Sequence, residues 1–222
     1  MTPLRIDFKL GGPIGVPRHP IHFDGLLAWL QLMATAPGSQ KEVDIQAAIA
    51  AVPLAKTMTS HGPLFHASVI NFAWEGPSWG QNWTRRSDER VLTSLQSSGT
   101  LKGRQANSKI LLNSGPFRSA IGVHELGWAE SASAYAVGDK KQIADLLADL
   151  DHIGKLRRYG YGEVLGYTVE DDEAASQKWK HRFLPADRFD EGLLGEGAYS
   201  PPYFHKKQRA IIRDNTCFRN AE

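Results

Sequence analysis

From Leu4 to Leu10 the chain alternates strictly, with Leu4, Ile6, Phe8 and Leu10 separated by Arg5, Asp7 and Lys9. A period of two is the pattern of a β-strand with one wet face, so whatever fold follows must offer this strand a core on one side only. Gly11, Gly12, Pro13, Gly15, Pro17 and Pro20 then forbid regular structure and leave a loop that carries Arg18 and His19. Asp24 is placed to cap a helix on which Leu26, Leu27, Leu30 and Met33 recur at helical spacing, stopping before Pro37-Gly38. A short second helix is expected over Glu42–Ala51, ended by Pro53.

Leu64–Phe72 has strand composition. From Ala73 to Arg118 the chain is rich in Gly, Ser, Asn and Trp and poor in periodicity. A further strand is expected over Ser119–Val137. Gly138-Asp139 then opens a helix carrying Ile143, Leu146, Leu147 and Leu150, and glycine-rich sequence leads to a strand over Tyr161–Val169. The order strand, helix, strand, insertion, strand, helix, strand is the split βαβ pattern. It predicts an α+β domain with a ferredoxin-like (RRM-like) βαββαβ core: four antiparallel strands, both helices on one face, the other face free. That domain spans residues 1–170, with 73–118 inserted into it. An acidic stretch, Glu170 to Glu173, opens an irregular C-terminal extension over 171–222.

Bulk properties exclude several classes. The 222 residues are 41% hydrophobic and 23% charged, as in a soluble domain with its own core. No run approaches the ~18 apolar residues of a membrane span, and the first residues lack the apolar core of a signal peptide. The single cysteine, Cys217, rules out an internal disulfide or a cysteine-cluster metal site, and fits a reducing, cytoplasmic compartment. A net charge of +2 does not by itself mark a nucleic-acid binder, so local charge must decide.

Two segments concentrate charge. In Gly154-Lys155-Leu156-Arg157-Arg158-Tyr159-Gly160-Tyr161-Gly162, three glycines allow close backbone approach, three cations share one turn, and two tyrosines offer stacking faces. These are the requirements of a phosphate-backbone contact with an aromatic neighbour. The spacing Gly160-x-Gly162-x-x-x-Gly166 is one residue longer than a dinucleotide fingerprint, and the glycines enter a strand rather than a helix. A helix stop at Gly154 followed by a solvated basic turn is the alternative. The second segment, Gln81 to Arg118, holds Arg85, Arg86, Arg90, Lys102, Arg104, Lys109 and Arg118 against Asp88 and Glu89, a local excess of five positive charges. Trp74, Trp79 and Trp83 precede it, interleaving aromatic rings with charge as RNA-binding surfaces do. A solvated loop with its tryptophans in the core is the competing reading.

The segment Pro20-Ile21-His22-Phe23-Asp24-Gly25-Leu26-Leu27-Ala28-Trp29 resembles the strand-to-helix segment of CRISPR RAMP proteins, and Gly154–Val164 resembles their glycine-rich loop. Together they most closely resemble the type IV CRISPR subunit of the Cas-five-like family, which caps the five-prime handle of the guide RNA. The C-terminal Pro201-Pro202-Tyr203-Phe204 is similar to the same proteins. The resemblance implies RNA contact by Gly154, Lys155, Arg157, Arg158, Tyr159, Gly160, Tyr161 and Gly162. It also implies that 73–118 is a thumb, with Arg85, Arg86, Arg90, Lys102, Arg104 and Lys109 on guide RNA and an insertion into the neighbouring backbone subunit. The implied partners are guide RNA, the backbone and large subunits and, through the complex, target DNA.

Among eight histidines, His22, His61, His66 and His124 lie near expected element ends. Related guide-processing nucleases of the superfamily place a histidine in the first helix region, which makes His22 with Arg18 the candidate pair for an alternative, metal-independent endoribonuclease. No H-E-x-x-H, phosphate loop or nucleophile elbow occurs. No catalytic residue, metal or cofactor is expected.

Overall fold

The alternation at the start of the chain becomes β1 (Thr2–Leu10), which buries Leu4, Ile6, Phe8 and Leu10 and exposes Arg5 and Lys9. The structure, a computed structural model, describes residues 1–35, 45–59, 62–85, 88–101, 107, 109–112, 117, 119–186, 194–203 and 209–216. After β1 come β2 (Ile14–Gly15), α1 (Phe23–Thr35), α2 (Ile45–Ala50), β3 (Lys56–Thr59), β4 (Gly62–Phe65), β5 (Asn71–Trp74) and β6 (Trp79–Arg85). The chain continues through α3 (Glu89–Ser97), β7 (Ala120–Gly127), β8 (Ala129–Gly138), α4 (Lys140–Leu147) and β9 (Val164–Asp171). It closes with α5 (Ala175–Lys178), β10 (Phe183–Pro185), β11 (Leu194–Ala198) and β12 (Arg209–Asp214). The fold is mixed α/β with antiparallel sheets. Two compact units divide it, Met1–Ser78 with Gly127–Glu222, and Trp79–Leu126.

In the larger unit a four-stranded sheet runs β5-β8-β1-β9, every neighbouring pair antiparallel. Register sets Leu4, Ile6 and Phe8 opposite Ala136, Ala134 and Ala132. The alanines leave room above the sheet, and Phe23, Leu27 and Leu30 of α1 and Ile143 and Leu147 of α4 join the same core. Each such apolar side chain contributes about 1.5–3 kcal/mol on burial. Tyr167 of β9 ties the sheet to α4 by donating to the Ala144 carbonyl at 2.9 Å. Asp139 caps α4, its carboxylate accepting from the Gln142 amide at 2.9 Å.

Several expectations change. Asp24 is not an N-cap: α1 begins at Phe23, the His22 carbonyl accepts from the Leu26 amide, and the Asp24 carboxylate is fully buried inside the first turn. The strand expected over Leu64–Phe72 is two, β4 paired with β3 and β5 in the main sheet. Between them Arg182 occupies the carbonyls of Phe65 and Ala67, and the Ser68 hydroxyl accepts from the Tyr135 amide, so the ladder is interrupted. The strand expected over Ser119–Val137 divides at Trp128, because its halves pair with different partners, β6 and β1. Of the helix expected over Glu42–Ala51, α2 occupies Ile45–Ala50, and residues 42–44 lie outside the described residues.

The expected irregular extension and free sheet face are also corrected. β10, β12 and β11 form an antiparallel sheet in that order. Leu64, Trp179, Tyr199 and Ile212 make a second apolar cluster, against which Val137 of β8 packs. Lys178 of α5 lies 4.7 Å from the Tyr135 ring centroid, on the side of β8 opposite the alanines. The C-terminal chain therefore covers part of the second face of the sheet. Its period-two signal is lost in strands of three to six residues, one of them bearing two glycines.

The smaller unit is built on β6 and β7, antiparallel from Trp79 opposite Leu126 to Arg85 opposite Ala120. Trp83 stacks on His124 with ring centroids 5.4 Å apart. Helix α3 is capped by Asp88, whose carboxylate accepts from the amides of Arg90 and Val91. On β7, Ile121 and Val123 share a face and are 82% and 64% exposed.

Candidate functional site

The glycine-rich turn owes its shape to backbone bonds at both ends. Gly11 donates to the Glu163 carbonyl, Gly162 donates to that of Pro13, and Ile153 donates to Gly162 at 2.7 Å. Between these anchors the chain turns through Gly154 (φ 93°), Leu156 (φ 65°), a 3-10 turn at Arg157–Tyr159, Gly160 (φ 81°) and Gly162 (φ 74°). Gly162 admits no other residue: a Cβ there would lie 1.9 Å from the Ile153 carbonyl oxygen, on backbone already in the left-handed region. A leucine at positive φ is a local strain of about 1–3 kcal/mol, held by the surrounding bonds.

The turn projects its cations in different ways. Lys155 and Arg158 are exposed. Tyr159 is half-exposed, and Arg158 lies over its ring while donating to its hydroxyl at 3.1 Å. Arg157 is half-buried, its guanidinium 4.2 Å from the centroid of the Trp29 ring on α1. Tyr161 is partly buried and Gly162 is buried. The cation–π contact fixes Arg157 while leaving its N–H groups able to meet an anion, a contact worth about 0.5–2 kcal/mol.

Gly154, Lys155 and Arg157 border a cleft of about 880 Å³. Its other walls come from the loop before α1 (Arg18, His19), from α1 itself (Leu26, Trp29), from α2 (Ile49), and from the C-terminal chain (Phe183, Pro201, Tyr203). The lining is mostly apolar, and its cations Arg18, Lys155, Arg157 and Arg209 outnumber its one described acid, Glu196. The cleft lies wholly within the larger unit.

Beneath it Arg182, fully buried, bonds Asp24 at 3.0 Å, the carbonyls of Phe65, Ala67 and Tyr199, and the Tyr203 hydroxyl at 2.8 Å. Tyr203 in turn donates to Asp24 at 2.7 Å. Burial opposes the Arg182 charge, but Asp24 and Tyr203 more than offset it and the guanidinium is held above its ordinary value. Burial pushes the Tyr203 hydroxyl well above its ordinary value, so it stays a donor. His22 stacks on Tyr203 at 4.4 Å and meets Phe183 at 5.2 Å. Burial first, and the Arg182 charge second, hold the His22 imidazole well below its ordinary value. It is therefore neutral at pH 7.

The structure thus brings Gly154, Lys155, Arg157, Arg158, Tyr159, Gly160, Tyr161 and Gly162 together in one turn. In the smaller unit Arg90 lies in the first turn of α3 and Lys109 beyond it, both exposed. Arg85 ends β6, but its side chain lies outside the described residues, as do Arg86, Lys102, Arg104, Arg118, His61, Phe204 and Cys217. Trp29, Arg182 and Tyr203 complete the site. Trp29 and Tyr203 fall in the segments that carry the family resemblance, but the roles of all three come from partners far along the chain.

No helix among the described residues is long and apolar enough to cross a membrane. Among them there is also no group of three or more His, Cys, Asp or Glu side chains placed to hold a metal ion. Comparison with curated proteins gives no match. The sequence model of the family described as CRISPR type IV associated protein Csf3 matches residues 2–213, nearly the whole length. With that span matched, the chain belongs to the Csf3 family of CRISPR type IV associated proteins.

Proposed function

We propose that this protein is a non-catalytic RNA-binding subunit of a type IV CRISPR effector complex, holding the five-prime handle of the guide RNA on its glycine-rich turn. The observation that carries the reading is the turn itself: a backbone closed by bonds at Gly11, Gly162 and Ile153, presenting Lys155, Arg158 and Tyr159 to solvent and Arg157 on Trp29. Cations on a preformed backbone beside a stacking ring suit a phosphodiester strand. The sheet order β5-β8-β1-β9 with α1 and α4 in one core supports a ferredoxin-like domain of the RAMP type. In this reading the β6–β7 unit with Arg85, Arg86, Arg90, Lys102, Arg104 and Lys109 is the thumb, gripping guide RNA and seating in the neighbouring backbone subunit. The large subunit and the guided DNA target complete the set of partners, in the cytoplasm.

A non-catalytic role suits His22. Held well below its ordinary value by burial and then by Arg182, its imidazole is a weak base. The test is co-expression with a repeat–spacer array and the other subunits of the complex, followed by sequencing of the RNA that copurifies. Guide RNAs with intact five-prime handles are expected. Recovery of no RNA, or of RNA without handles, overturns the reading. Repeat RNA incubated with the pure protein in EDTA is expected to stay intact, and cleavage abolished by His22→Ala would establish the nuclease instead.

A further inference from the structure

The wall of the 880 Å³ cleft holds a polar group that no described residue satisfies. His22 lines the cleft, is 6% exposed, and neither Nδ1 nor Nε2 has a hydrogen-bond partner among the described residues. Native proteins rarely bury such atoms, because each carries the desolvation cost of a lost bond. The ring is not loosely placed, since Tyr203 stacks on one side and Phe183 closes another. Tyr203 cannot turn to serve it, its hydroxyl being bonded to Asp24 and Arg182. No described residue supplies the partner for His22, and the ring borders the cleft, so a molecule lying there is placed to supply it.

The cleft specifies what that partner is. Its volume falls within the ~300–1,000 Å³ of small-molecule sites. Its apolar lining, with Leu26, Ile49 and Pro201, suits a flat ring, while Arg18 and Lys155 stand at its edge with no carboxylate partner among the described residues. A ring in an apolar slot and an anion at a cationic rim are the two halves of one nucleotide. A neutral imidazole offers one N–H donor and one acceptor nitrogen, so it meets a base edge that presents an acceptor or a donor.

We propose that this cleft is a nucleotide site in which the base lies in the apolar slot and bonds His22, while the phosphate meets Arg18 and Lys155 at the rim. The nucleotide is either a splayed-out residue of a bound RNA strand or a free mononucleotide, with the same recognition chemistry in both cases. The inference deepens the RNA-binding reading and rests on it only for the RNA-borne source. His22 is a specificity-determining residue here. Because its nitrogens bond none of the described residues, its removal is expected to cost the free protein little.

The test uses the full chain. Isothermal titration with AMP, GMP, CMP and UMP, with ribose 5-phosphate as the baseless control, forms one arm. RNA oligonucleotides carrying single abasic positions form the other. At least one nucleotide is expected to bind about tenfold or more tightly than ribose 5-phosphate, or one abasic position to weaken RNA binding by a similar factor. His22→Phe is expected to abolish that difference while the melting temperature of the free protein holds or rises. Arg18→Ala with Lys155→Ala, both on the surface, is expected to reduce the preference for nucleotide over the matching nucleoside. Nucleotide binding that depends on His22, without any RNA binding, keeps this site and removes the RNA-handle reading. An abasic effect that depends on His22, without mononucleotide binding, assigns the base to the RNA strand. The proposal is overturned if ribose 5-phosphate binds as well as every nucleotide and no abasic position matters, or if His22→Phe leaves base discrimination unchanged.

Discussion

Arg182 and Asp24 form an ion pair at 3.0 Å with both side chains fully buried, although they stand 158 positions apart in the chain. One end belongs to the first turn of α1 and the other precedes β10, so the pair joins the first helix to the C-terminal sheet through Tyr203.

Removing one member leaves a buried charge with no counterpart. Asp24→Asn or Arg182→Met is expected to cost about 3–5 kcal/mol, measured by urea unfolding monitored by tryptophan fluorescence. The double variant Asp24→Asn with Arg182→Met is expected to lose less than the sum of the two single changes. Strictly additive losses would mean the pair is not coupled.

The glycines of the turn are not equivalent. At Gly162 an added methyl meets the Ile153 carbonyl at 1.9 Å, whereas at Gly160 nothing lies within 4 Å. Gly160→Ala is therefore expected to cost only the left-handed backbone penalty, about 1–2 kcal/mol. Gly162→Ala is expected to cost clearly more and to shift the whole turn. Thermal unfolding of the two variants ranks them, and an equal loss contradicts the close approach.

Arg157→Ala with Arg158→Ala is expected to weaken binding of handle RNA while changing stability by no more than about 1–2 kcal/mol, the scale of one cation–π contact. The slope of log K against log salt is expected to become shallower by about 0.7 for each phosphate that the variant no longer neutralises. An unchanged slope would place the RNA elsewhere.

Stability is expected to fall as pH drops below the ordinary histidine value of about 6.5. His22 is held well below it in the folded chain, first by burial and then by Arg182, and His66 is lowered for the same leading reason. The unfolded chain then binds more protons than the folded one, so each unit of pH below about 6.5 costs up to about 1.4 kcal/mol for the buried His22, down to its folded value, and less for the partly exposed, solvent-screened His66. His22→Phe is expected to flatten this decline. A pH profile between 5 and 7 identical to that of the unaltered protein would show that His22 is not responsible.

What the sequence by itself determined is what local physics writes into neighbouring residues. The period-two run Leu4–Leu10, the helix behind Asp139, and a turn where Gly154, Gly160 and Gly162 bring Lys155, Arg157 and Arg158 together were legible because each depends on spacing of a few residues. The break in the Leu64–Phe72 strand was not, because its cause, the Arg182 guanidinium on the Phe65 and Ala67 carbonyls, comes from more than a hundred residues away. The same holds for Asp24, which reads as a helix cap until Arg182 and Tyr203 arrive to occupy its carboxylate. The cleft, the cations along it and a His22 without a partner among the described residues exist only once α1, the glycine-rich turn and the C-terminal chain share a border. Burial and long-range partners are properties of the folded whole, and only the tertiary structure could decide them.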